Sequence, residues 1–125
     1  MIEILEKTTD KILAVKASGI LTHEDYENFL PALDAAINTE SHIGLYIDIT
    51  AFEGMTPHAM LDDFLTSLKY YWNFTYVVVV GDEKWMKFAT EFTDWITPSD
   101  LEYYDEKDAD KAWKYLQDAC DNKLN

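Results

Sequence analysis

Asp48, Thr50, Thr56, His58 and Asp82 are the residues of this sequence best spaced to act together. The stretch YIDITAFEGMTPHAM reads as a strand that enters a turn and leaves it as a helix. Asp48 and Thr50 then stand near the carboxyl end of a strand, and Thr56 at a helix start. VVVVGD sets Asp82 after a second strand in the same way. Ligands of open α/β sheets gather beyond such ends, so Asp48, Thr50, Thr56, Gly81 and Asp82 are expected to converge at one rim. Thr56 followed by Pro57 is the pattern of a helix N-cap, worth about 1 kcal/mol, with the proline where its missing donor does no harm. The same hydroxyl, phosphorylated, would place roughly −1.5 to −2 units of charge at the positive end of a helix dipole. Asp62, Asp63 and a net charge of −14 oppose that second use, and the two rim aspartates equally suit the capping of loops and helices.

Other chemistries are poorly served. His58 with Asp62, and His23 with Glu27, stand four apart on helices and give a local hydrogen bond or half a metal site. A zinc site needs three or four ligands and no further cluster is spaced to join them, so neither a metal nor a cofactor is expected. His42 beside Ser41 reads as a turn residue. No Gly-x-Ser-x-Gly elbow prepares a nucleophile, which argues against an enzyme. VGDEKW offers one glycine followed by two carboxylates, the wrong chemistry for a phosphate cradle.

The elements that must position these residues come from a chain of 125 residues, 48% hydrophobic and 14% aromatic, enough for one domain spanning 1–125 with a core of its own. Its ten basic residues are all lysine, against 24 acidic ones. Such a surface repels polyphosphates, so neither nucleic acid nor an anionic membrane is an expected partner, and recognition through a guanidinium fork is excluded. Cys120 has no partner for an internal disulfide and reads as a small apolar residue of a C-terminal helix, its pKa raised by acidic surroundings. With no basic-then-apolar leader and no apolar run of ~18 to 20 residues, the expected location is the cytoplasm.

IEILEK and KILAVKAS, joined by TTD, predict two strands of a hairpin, with Gly19 breaking the second. LTHEDYENFLPALDAAINTE changes to helical period, with Tyr26, Phe29, Leu30, Leu33 and Ile37 on one stripe. Thr22 and Asp25 form a capping box in which aspartate replaces glutamate, and Pro31 is expected to kink the helix. IGLYIDIT alternates as a strand; TPHAMLDDFLTSLKYYW is a helix; TYVVVVG, with four successive valines, is a strand covered on both faces and therefore central. DEKWMKFATEFTDWI is a helix capped by Asp82, followed by a short strand LEYYD and a last helix with a frayed DNKLN tail. The order is β-β-α-β-α-β-α-β-α: an α/β fold with a mixed five-stranded sheet and four helices, the first strand antiparallel.

This order, with GILTHEDYENFLPALDAAI, LYIDITAFEGMT, VVVVGDEKW and ADKAWKYL, resembles the SpoIIAA-like family, itself similar to STAS domains. The resemblance implies a βα superhelix, commonly dimeric, in a family whose members mostly lack an assigned activity. STAS anti-anti-sigma proteins carry a phosphorylated serine in an Asp-Ser-Ser-Gly type motif at the start of the helix after the third strand. That region here falls on Thr56, Pro57 and His58, so the serine pair and its glycine are missing. A histidine frequent late in the second helix of the family is replaced by Tyr70 or Tyr71. The expected function is a non-enzymatic binding or regulatory domain working through protein contacts, as a homodimer, with a vestigial switch at Thr56. The alternative is a carrier or sensor of a small apolar, lipid-like or aromatic ligand held between the ring-rich helices at KYYWNF and at Trp85, Phe88, Phe92 and Trp95.

Overall fold

A computed structural model of the chain describes residues 1–36, 43–55, 75–82 and 100–124. Strands β1 (Ile2–Ile4), β2 (Ile12–Leu21), β3 (Gly44–Met55), β4 (Tyr76–Gly81) and β5 (Asp100–Asp105) form one sheet in that spatial order. β1 runs antiparallel to β2, and the other four strands are parallel. Helix α1 (His23–Ala36) follows β2, and α2 (Ala109–Leu124) follows β5 after one 3-10 turn at Glu106–Asp108. This is the mixed five-stranded α/β architecture that the alternation of periods predicts. The two helices expected after Thr56 and after Asp82 lie outside the described residues, as do Ile37 and the aromatic stripes at 70–74 and 85–95.

Period-two alternation divides the sheet residues between two layers. Ile12, Ala14, Tyr46, Val78 and Val80 face α2 and meet Ala112, Leu116 and Cys120, which recur every four residues along that helix and are each 0% exposed. Leu13, Val15, Leu45, Val77 and Val79 face the opposite way and pack with Ile4, Phe29 and Ile47. Val77–Val80 are all buried, as their lack of alternation requires. β4 is internal, but the middle strand is β3, because β5 closes one side and both β1 and β2 close the other. The Thr22–Asp25 box forms as expected: the Asp25 amide donates to Thr22 Oγ1 at 3.2 Å, and the Thr22 amide donates to Asp25 Oδ2 at 2.9 Å.

Three boundaries differ from the sequence reading. Gly19 does not end β2; with φ of 66° it sits at a register shift, and the strand continues to Leu21. β3 likewise continues through Met55, using Gly54 at φ of 140°, where the sequence predicts a turn. α2 is helical through Leu124 rather than frayed from Asp121, and the Lys11 ammonium reaches Asp121 at 3.0 Å. At the two glycines, pairing with the neighbouring strand overrides a local breaker.

Candidate functional site

Asp48 is the last residue of β3 to pair with β4, opposite Val80, and also pairs with Lys16 of β2. Beyond it the sheet forks: β3 goes on with β2, while β4 runs one residue further, to Gly81, beside Asp105 of β5. Asp48 is therefore at the end of a ladder but in the middle of its strand, a correction to its expected place at the strand end. The fork is built by an extra residue in β3, since Lys16 and Ser18 pair with Asp48 and Ala51. Asp48 holds that bulge: its Oδ1 accepts the Thr50 amide at 2.8 Å and the Thr50 hydroxyl at 2.6 Å. The two residues that the spacing put together are thus in direct contact, and their contact shapes the backbone.

Asp82 follows β4 at the same end of the sheet. Its Oδ1 is shut off from solvent and makes no hydrogen bond among the described residues. Its carbonyl accepts the Tyr103 hydroxyl, whose pKa is pushed up to about 12 by burial, with Asp82 and Asp105 adding to the effect. Gly81 leaves room for this arrangement, since a Cβ there would come within 2.5 Å of Tyr103 Oη and 2.7 Å of Ile49 Cγ1. Thr56 and His58 lie outside the described residues. The strand order among the described residues never reverses, so this sheet shows no switch point of the kind that opens a ligand crevice in doubly wound folds.

Sequence reasoning missed the cluster on the α2 side of Asp48. Lys7, in the loop between β1 and β2, lays its ammonium 3.8 Å from the Tyr46 ring centroid and 4.6 Å from that of Trp113. The two rings meet edge to face at 5.4 Å. Burial lowers the Lys7 pKa, against the charges of Asp48 and Asp110; burial first, and then the same two carboxylates, raise that of Tyr46. No motif links Lys7 to Trp113. The loop carries two lysines, Lys7 and Lys11, and nothing in their spacing marks Lys7 as the one that meets the rings.

Elsewhere the local pairs are simple. His23 Nε2 and Glu27 Oε1 are 2.8 Å apart on an exposed face of α1. Cys120 is fully buried, its thiol pushed up to about 11 by burial first, with the acidic neighbour Asp121 adding to the effect in the direction expected from sequence. Among the described residues no three His, Cys, Asp or Glu side chains gather as a metal site, and no helix is long and apolar enough to cross a membrane.

A family model described as SpoIIAA-like matches residues 12–117, a span that takes in the fork and most of α2. The chain belongs to the SpoIIAA-like family. A solved relative, an uncharacterized protein of the DUF3478 family with a SpoIIAA-like fold from Shewanella loihica PV-4, is 36% identical to it, with a TM-score of 0.72 over 92% of this chain and 93% of that one. No curated protein matches. The SpoIIAA-like assignment thus carries the α/β fold onto firm ground and brings no substrate with it.

Proposed function

We propose that this SpoIIAA-like chain is a non-enzymatic binding domain of regulatory type, working in the cytoplasm as a homodimer and meeting a protein partner at the fork between β3 and β4. One observation carries the reading: Asp48 spends its Oδ1 on both donors of Thr50. A carboxylate engaged twice by its own strand is a brace for the bulge and a poor general base. Asp82 adds support, because its Oδ1 is shut off from solvent and meets no donor among the described residues.

The test is a comparison of cross-linked partner profiles for the wild type, Asp82→Lys and Thr56→Glu, with light scattering to give the oligomeric state. Loss of the main partner in Asp82→Lys supports contact at the fork, and a changed profile in Thr56→Glu supports the switch. Native mass spectrometry of freshly purified protein addresses the carrier alternative; a stoichiometric retained small molecule overturns the protein-contact reading.

A further inference from the structure

Among the described residues no strand pairs with the outer edge of β1, which lies on the far side of β2 from the fork. The β1–β2 ladder pairs Glu3 with Lys16, and the Ser18 amide to the Met1 carbonyl and the Leu5 amide to the Ala14 carbonyl, both 2.8 Å, bracket that pair. In an antiparallel ladder the bonding residues alternate. Residues 1, 3 and 5 therefore bond inward to β2, and the amides and carbonyls of Ile2 and Ile4 project from the edge of the sheet. Beside them a groove of about 310 Å³ runs between β1 and α1. Its floor is apolar, with Ile2, Ile4, Phe29 and Ala32, and its polar rim is Asn28, Glu3 and Asp25.

We propose that this edge takes an extended, basic segment of a partner protein as a sixth strand, with its apolar side chains in the groove and its alternate lysines or arginines on the other face, toward Glu3. Three features choose that occupant. Outward backbone donors and acceptors call for another strand, which a compact apolar molecule does not supply. The groove lining holds two carboxylates and no basic side chain, and Asp25 already draws an ammonium, that of Met1, to 3.5 Å. A second copy would bring the same two carboxylates against the first, which disfavours pairing of β1 with the β1 edge of another copy. The opposite edge, β5, carries Asp100, Glu102 and Asp105.

The experiment uses the whole chain, nitrogen-15 labelled, titrated with a blocked hexapeptide of alternating lysine and valine and with its glutamate–valine counterpart. Amide shifts and hydrogen exchange are read residue by residue. The lysine peptide is expected to slow exchange at Ile2 and Ile4 and the glutamate peptide to leave them unchanged. Ile4→Pro removes an outward donor and no β1–β2 bond, the one position type at which a sheet accepts proline; it is expected to weaken binding about fivefold to tenfold. Should that variant unfold, Ala32→Phe fills the groove from α1 with the backbone intact and is expected to weaken binding similarly. Asp82→Asn, at the fork, leaves peptide binding unaltered, which separates this surface from the one proposed above. Equal binding of the two peptides, protection along β5 instead, wild-type affinity in Ile4→Pro or Ala32→Phe, or concentration-dependent protection of Ile2 and Ile4 without peptide would each overturn the proposal.

Discussion

Under α2 the sheet is closed by Ala112, Leu116 and Cys120, all 0% exposed, whereas at the β1 edge Ile2 and Ile4 are only half-buried and Met1 is 63% exposed. Both regions have apolar residues at the spacing their elements require, so pattern does not distinguish them. The difference comes from what each helix brings. α2 presents small and branched residues every fourth position and lies close against β3 and β4. α1 sets the short side chains Asp25, Asn28 and Ala32 around Phe29 toward β1, and a groove is left between the two elements. One region has the character of a finished core and the other of a surface kept open.

The largest effect should come from emptying the closed side. Leu116→Ala is expected to cost about 2–5 kcal/mol in urea unfolding, while Ala32→Ser at the groove stays within about 0.5 kcal/mol of wild type. Similar costs at the two sites would erase the contrast. Overfilling the closed side comes next. A Cβ on Gly44 would stand 2.6 Å from Cys120 Sγ, so Gly44→Ala should destabilise by about 1–3 kcal/mol. Cys120→Ala in the same chain should recover most of that loss, and a double-mutant cycle measures the coupling.

On the open side the main local support for α1 is its cap, and Thr22→Ala should cost about 1 kcal/mol. The pH dependence has a definite sign. The Thr22 amide, with smaller help from the Thr22 hydroxyl and the Met1 ammonium, holds the Asp25 carboxyl below its ordinary value. Its contribution is therefore full above the unfolded-state value of about 3.9 and lost as pH falls through the lower folded value. The stability gap between wild type and Asp25→Asn, followed by denaturant unfolding from neutral pH downward, should shrink across that acid window. A gap that widened there would contradict the cap geometry. The smallest effect is expected at Lys7, which is solvent-exposed above its rings; Lys7→Gln should lose about 0.5–1 kcal/mol, and a calorimetric scan detects it.

The parts of the molecule legible from sequence are those whose cause is local. Thr22 and Asp25 are three residues apart and find each other within one turn, and Val77–Val80 declare a strand covered on both faces. Asp48 and Thr50, two residues apart on one strand, meet through Asp48 Oδ1, a contact that is local in the same sense. The fork was hidden: it depends on how many β3 residues lie opposite Lys16 and Ser18, and alternation along β3 alone cannot count its neighbour. Gly19 misled for the same reason, since a glycine reads as a breaker until a partner strand is present to use its positive φ. Lys7, Tyr46 and Trp113 come from three separate elements, and only the folded sheet brings the cation over the rings.

The two register shifts between β2 and β3 act together as a vernier. The first advances β3 by one residue and turns Phe52 inward, where it meets Ala17 and Leu21; the second, at Glu53, restores the original phase by Met55. Deleting one residue between Asp48 and Ala51 would therefore not merely shorten the strand. It would rotate Phe52 into water and carry the Glu53 carboxylate toward the apolar layer, a frameshift in three dimensions with every peptide bond intact.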